Sequence, residues 1–269
     1  MTPISPLPPG IPGDLIRQRL AQIEAEEDVR ILLAVESGSR SWGFASTDSD
    51  FDVRFIYVRR EDWYLTIDAG RDVIERPIDD ADVDLSGWDL KKALVLFRKS
   101  NPPLLEWLQS PIIYVEKFTV AETLRQMMPT SYSPIACMHH YLHMAQANFR
   151  EYLRGETVRL KKYFYVLRPV LACAWVHEGF GVAPMEFHRL IDRLLPTGPV
   201  RESVDALLAR KMSGGELDNG PRIQVLNDYL ESEISRLEQS LPASDRAGDM
   251  TPALNRVFRD GLKEVWLKS

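Results

Sequence analysis

Glu36-Ser37-Gly38-Ser39-Arg40-Ser41-Trp42-Gly43-Phe44-Ala45-Ser46-Thr47-Asp48-Ser49-Asp50-Phe51-Asp52-Val53 is the stretch that decides how this chain folds. A turn of small residues carrying hydroxyls is followed, twelve residues after Gly38, by Asp50 and Asp52, two apart. Asp52 opens into Val53-Arg54-Phe55-Ile56-Tyr57-Val58, whose alternation predicts a strand. Phe51, Val53, Phe55 and Tyr57 then share one face, and Asp50, Asp52, Arg54 and Ile56 share the other. Two carboxylates held side by side repel one another and call for a cation, Mg²⁺ by preference with Mn²⁺ as an alternative. Backbone N–H groups and a hydroxyl at Gly38 and Ser39 suit phosphate oxygens. Together they predict a site for a metal-bound nucleoside triphosphate.

Outward from this stretch, Ile31-Leu32-Leu33-Ala34-Val35 reads as a central strand feeding the turn, and Asp72-Val73-Ile74-Glu75 and Asp82-Val83-Asp84-Leu85 as two further strands. The last offers a third carboxylate. Parity does not separate Asp82 from Asp84, but Asp84 is bracketed by core residues and is preferred. Three aspartates on two neighbouring strands suit two Mg²⁺ ions about 3.5–4 Å apart. Ser86-Gly87-Trp88-Asp89 has the form of a capping box, starting a helix with Leu90, Leu94 and Phe97 on one stripe. Asn101-Pro102-Pro103 ends that helix and starts a short one through Trp107, and Pro111-Ile112-Ile113-Tyr114-Val115 reads as a last strand. Beyond Glu116 the patterning is helical: 138–153, 157–178 with a kink at Pro169, 184–194, 200–212, 222–240 and 251–267. The expected organisation is α+β: a mixed-sheet catalytic half over 1–116, with a Pro-rich tail at 1–12, and an all-helical half over 117–269.

Bulk properties narrow the function. The 269 residues are 45% hydrophobic and 27% charged, with a formal net charge of −6, which argues against a broad basic coat for nucleic acid. No run of about 18 apolar residues is present, so no membrane span is expected. The opening residues lack a signal-peptide pattern, and Cys137 and Cys173 sit in apolar helical patterns as buried thiols, so a reducing cytoplasm is expected. A calcium loop starting at Asp48 fails, because its sixth and twelfth positions are Val53 and Arg59. A glycosyltransferase D-x-D has no need of the Gly-Ser turn. His139, His140 and His143 lack an HExxH glutamate, and Ser39 has no triad spacing.

The Gly-Ser turn, the D-x-D that opens a strand and the later lone Asp are similar to the DNA polymerase β-like nucleotidyltransferase superfamily. More closely, the chain resembles the RlaP-type nucleotidyltransferases associated with RNA ligase and RNA repair. The resemblance rests on 36–55, on Asp84-Leu-Ser-Gly-Trp-Asp-Leu-Lys-Lys-Ala93, on Asn101-Pro-Pro-Leu-Leu-Glu-Trp-Leu-Gln-Ser-Pro111, and on Leu160-Lys-Lys-Tyr-Phe-Tyr-Val-Leu-Arg-Pro-Val-Leu-Ala-Cys173. It implies a nucleotidyltransferase palm (a mixed β-sheet with flanking helices) followed by a helical substrate- and nucleotide-holding domain. In that reading Gly38, Ser39 and Arg40 hold phosphates, Asp50 and Asp52 ligate both metals, and Asp84 ligates one. Lys161, Tyr165 and Arg168 fall at i, i+4 and i+7 on one helix face, with Lys162 a position round, and would meet the nucleotide from across the cleft. The implied reaction moves a nucleoside monophosphate from an NTP to a hydroxyl, with an RNA end the favoured acceptor and pyrophosphate released. A metabolite or protein hydroxyl is an alternative acceptor. The alternative from another class is a catalytically degenerate nucleotide-binding or regulatory protein. Glu36, just before the turn, is only a secondary candidate for orienting Arg40 or a water, and Trp42 and Trp88 are expected to be core rather than flanking a base.

Overall fold

The computed structural model describes residues 6–214, 217–241 and 248–267; the first five residues of the Pro-rich tail lie outside them. Helix α1 (Gly13–Glu27) leads into a five-stranded sheet of β1 (Arg30–Glu36), β2 (Phe51–Val58), β3 (Val73–Arg76), β4 (Val83–Asp89) and β5 (Ile113–Glu116). The spatial order is β3-β4-β2-β1-β5, and the sheet is mixed: β2 and β4 are parallel, the other neighbours antiparallel. All five strands match expected ones.

The alternation read from β2 is present. Val53, Phe55 and Tyr57 pack with Ile16, Leu20 and Ile23 of α1 and with Val83 and Leu85 of β4. Ile56 and Val58 join a second core on the opposite face of the sheet, which is also the face of Asp50, Asp52 and Arg54. Gly87 of β4 is small for a reason: a Cβ there would lie 2.1 Å from the Phe55 ring. Ser86, Gly87 and Trp88 are strand rather than capping box, because β4 pairs with both β2 and β3 through them. Asp89 is the cap, its carboxylate accepting from the Lys91 N–H at 2.8 Å to start α3 (Leu90–Arg98). Its stripe of Leu90, Leu94 and Phe97 is buried as expected.

Short helix α2 (Glu61–Tyr64) lies between β2 and β3, and α4 (Pro102–Gln109) follows α3, capped by Asn101. The helical half comprises α5 (Val120–Ser131), α6 (Pro134–Tyr152), α7 (Lys162–His177), α8 (Phe187–Leu194), α9 (Pro199–Met212), α10 (Gln224–Gln239) and α11 (Thr251–Trp266). Patterning missed α5, which carries Pro129 near its end. The expected 157–178 helix starts late. Residues Thr157–Arg159 form strand β6, paired with β7 (Asn219–Pro221), and the Leu160 and Lys161 amides donate to the Asp218 and Leu217 carbonyls. Those bonds tie the Leu160–Lys161 turn to the chain before β7, so the helix begins only at Lys162.

Pro169 does lie inside α7 and cannot donate to the Tyr165 carbonyl four residues back. The Asn148 side-chain amide of α6 takes that place, donating to the Tyr165 carbonyl at 3.2 Å. Cys137 and Cys173 are free and buried, and burial pushes both thiols up to about 12. One apolar core runs from Leu32 of β1 through α3–α7 to Val265 of α11, so buried contacts cross the expected boundary at 116. Among the described residues no helix is long and apolar enough to cross a membrane.

Candidate active site

The parallel pairing of β2 with β4 sets Asp52 directly opposite Asp84. Asp82, by contrast, is a turn residue with φ of 56°, its carbonyl accepting from the Phe51 N–H at 2.8 Å. Asp84 is therefore the third acid beside the pair. Between Asp52 and Asp84 stands a residue that sequence reading left without a role. Arg54 Nη2 donates to Asp52 Oδ1 at 3.1 Å and to Asp84 Oδ2 at 2.7 Å.

Asp52 is held from below by a buried network. Its N–H donates to Glu36 Oε1 at 2.9 Å, and Tyr114 donates its hydroxyl proton to Glu36 Oε2. Glu36 thus anchors β2 rather than orienting Arg40 or a water. Burial pushes the Glu36 carboxyl up from 4.5 to about 7, against the downward pull of its two hydrogen bonds. A carboxyl raised in the folded state keeps its proton where the unfolded chain has lost it. Stability therefore falls as pH rises from about 4.5 to 7, on the order of 3 kcal/mol for this group. Glu36→Gln is expected to flatten that slope, so that the variant gains on the parent between thermal melts at pH 5 and pH 8. An unchanged slope would show that Glu36 is ionised throughout.

The Asp52 carboxyl is raised by burial first, with Asp84 and Asp50 adding repulsion and Arg54 opposing. Asp50 is exposed, and among the described residues its carboxylate makes no hydrogen bond or ion pair. Two adjacent carboxylates, one half-buried and one without a partner among the described residues, are hard oxygen donors that fit Mg²⁺ or Mn²⁺. Among the described residues no three His, Cys, Asp or Glu side chains form a ready-made cage, so phosphate oxygens and water would complete such a shell.

Above the carboxylates runs the Gly-Ser loop. Its ends are pinned by the Ser37 N–H donating to the Asp52 carbonyl at 2.8 Å and by the Phe44 N–H donating to the Ser39 carbonyl. Ser41 Oγ, 1% exposed as a residue, donates inward to the Ser37 and Gly38 carbonyls. The N–H groups of Gly38, Ser39 and Arg40 make no hydrogen bond among the described residues, and neither does Ser39 Oγ. Gly38 is required sterically, because a Cβ would fall 1.7 Å from Asp52 Oδ2. Gly38→Ala is therefore expected to push the Asp52 carboxylate aside and weaken divalent-ion binding at least tenfold by calorimetry, with the melting temperature little changed.

These groups border a cavity of about 560 Å³ lined by Ser37–Ser39, Trp42, Phe44, Asp50, Asp52, Lys161, Phe164, Tyr165, Lys211 and Asp218 among others. That suits a small-molecule ligand of nucleotide size. A second cavity of about 590 Å³ lies at the other end of β4, by Trp63, Ile67 and Asp89. Its Asp89 carboxylate is taken up by the Tyr64 hydroxyl and the Lys91 N–H and its Asp72 by Lys92, so the chemistry selects the first. Gly38, Ser39, Asp50, Asp52, Lys161 and Tyr165 are thus brought together. Tyr165 is 44% exposed at the rim, edge-on to Trp42 at 6.2 Å between ring centroids.

Three expected nucleotide contacts are placed otherwise. Arg40 lies over the Phe51 ring at 3.9 Å and donates to the Ser49 and Asp50 carbonyls, clamping the loop before the D-x-D. Lys162 lies outside the cavity lining, its ammonium between the Tyr152 and Tyr165 rings at 4.0 and 4.6 Å. Arg168 is 5% exposed, paired with Glu106 at 2.9 Å and lying 4.8 Å from the centroid of the Trp42 ring. Its face of α7 is the expected one, but Trp42 covers it.

Sequence reading did not find Lys211, at the end of α9. It lines the same cavity as the carboxylates; burial and Lys161 push its ammonium down, while Asp50 pulls it up. Trp42, expected as core, is half-buried and lines the cavity, whereas Trp88 stacks on Trp107 at 3.9 Å.

A mixed sheet presenting paired aspartates beside a loop with free amides is the arrangement of a nucleotidyltransferase of the polymerase β type. The chain belongs to the RNA repair pathway DNA polymerase beta family, RlaP, which it matches over residues 13–260. It is 48% identical to the uncharacterized protein YcgL of Bacillus subtilis (strain 168) over 252 residues, covering 93% of this chain and 96% of the relative. It is also similar to a crystal structure of a nucleotidyltransferase-like protein from Exiguobacterium sibiricum 255-15. That similarity has a TM-score of 0.30 at 12% identity and covers 94% of this chain and 91% of the other.

Proposed function

We propose that the protein transfers a nucleoside monophosphate from a divalent-metal-bound NTP to a hydroxyl, with an RNA end as acceptor. The observation that carries the reading is the Asp50–Asp52 pair directly beneath the Gly38–Ser39 loop in one cavity. Asp50 and Asp52 would hold Mg²⁺ with the phosphates, and the ion would supply charge neutralisation at the α-phosphorus. Gly38, Ser39 and Lys161 orient the phosphate chain, and Lys211 draws the negative charge from the opposite wall. Tyr165 and Trp42 offer aromatic surface for the base. The acceptor oxygen bonds to the α-phosphorus as the bond to the β-phosphate oxygen breaks. Pyrophosphate leaves with that electron pair, and the hydroxyl proton passes to a carboxylate or to water.

RNA as acceptor is supported by the description of the family. A run of rings and cations beside the cleft also supports it: Tyr165, Lys162 and Tyr152, with Arg159 near Lys162. Aromatic faces interleaved with cations are what single-stranded nucleic acid stacks on. The test is incubation with each α-labelled NTP, Mg²⁺ and a mixture of cellular RNA and metabolites. Label appearing in RNA with stoichiometric pyrophosphate supports the reading. Label in metabolites or in protein would move the acceptor, and no label with any NTP would point to nucleotide binding without transfer.

A further inference from the structure

We propose that Arg54 is the permanent second cation of this site, so that the protein binds one divalent ion with its nucleotide, on Asp50 and Asp52, and not two. The inference rests on the nucleotidyl-transfer reading above and concerns how its charge is balanced. A two-ion site needs Asp52 and Asp84 to share an ion, and the guanidinium stands in that place. It is fixed at four acceptors: the Asp52 and Asp84 carboxylates through Nη2, and the Val53 and Asp84 carbonyls through Nη1 at 3.1 and 3.2 Å. Its side chain is only 20% exposed. An ion entering between the two carboxylates would have to displace both Nη2 bonds and stand against the guanidinium charge.

The backbone explains why it sits there. Arg54 follows Asp52 by two on β2 and so shares its face, and the parallel register brings Asp84 alongside. What remains open to an ion is the Asp50 carboxylate and Asp52 Oδ2, the oxygen that lies against Gly38. Two carboxylates with phosphate oxygens make an ordinary Mg²⁺ site. The guanidinium offsets one of the two negative charges of Asp52 and Asp84 whatever the metal concentration, which a second ion does only when bound.

The experiment counts ions on the full chain. Mn²⁺ is titrated in the presence of a non-hydrolysable ATP analogue, with bound metal read by electron paramagnetic resonance, for the parent, Arg54→Met and Arg54→Lys. One ion per bound nucleotide is expected in the parent and in Arg54→Lys, and two in Arg54→Met. Without metal, Arg54→Met should melt about 5 °C lower, because two carboxylates lose their counter-charge. Millimolar Mn²⁺ should restore it while raising the parent far less. Two ions in the parent, or Arg54→Met still binding one ion with no metal-dependent recovery, would overturn the inference and leave nucleotidyl transfer standing. No nucleotide-dependent ion in the parent would remove both.

Discussion

Asp52→Asn is expected to lower nucleotidyl transfer by about 10³-fold or more while leaving the fold intact or slightly more stable at pH 7. The two effects have opposite signs for one reason. Burial and the negative charges of Asp84 and Asp50 hold the Asp52 carboxyl above its usual range, so its ionised form opposes folding at neutral pH. Asparagine removes that opposition and keeps an oxygen for Arg54 Nη2, now 3.1 Å away. What it loses is the charge that draws a divalent ion. Pyrophosphate release and thermal melts on the same preparation separate the two effects. Unchanged release would remove Asp52 from the machinery, and loss of both release and folding would make it structural.

Arg168→Met is expected to destabilise the protein by about 3–5 kcal/mol, a fall in melting temperature of roughly 10 °C. Arg168 joins α7 to α4 through Glu106, to the chain before α8 through the Met185 carbonyl at 3.2 Å, and to the Gly-Ser loop through Trp42. Removing it strands the Glu106 carboxylate, whose remaining partner is the Tyr141 hydroxyl at 2.8 Å. Adding Glu106→Gln should recover part of the loss, because the orphaned charge goes with it. A double-mutant cycle measures the coupling. A cost under about 1 kcal/mol for Arg168→Met would place the pair among solvated ion pairs.

The same contacts govern the site. Phe44 stacks on Phe164 of α7 at 4.7 Å, and the Trp42 carbonyl accepts from the Phe187 N–H at 2.9 Å. The Gly-Ser loop is thus fastened to the helical half on its far side. Weakening that fastening should loosen the cavity as well as the fold.

Period-two patterning marked β2 and β4, because a strand with one face in a core must alternate and Val53, Phe55 and Tyr57 do so over α1, while a short continuous apolar run marked β1, which is buried on both faces. The turn-and-aspartate spacing marked Gly38, Ser39, Asp50 and Asp52, because a strand opening beside a tight loop brings such residues together locally. Local chain geometry is enough for that. Which acid stands third was undecided by parity and was settled by the parallel register that pairs Asp84 with Asp52. Arg54 looked like any strand arginine until β4 came alongside. Lys211 lies far along the chain from the D-x-D, and the start of α7 was set by β6 pairing with a segment about sixty residues later. Arg168 has the same face on paper as Lys161 and Tyr165, but Trp42 packs over it and turns a nucleotide contact into a buried strut. Sequence by itself determined what the chain's neighbours in covalent order impose: strand parity, the loop and the paired acids. Contacts across long separations decided the rest, since burial and counter-charge belong to partners that only folding brings within reach.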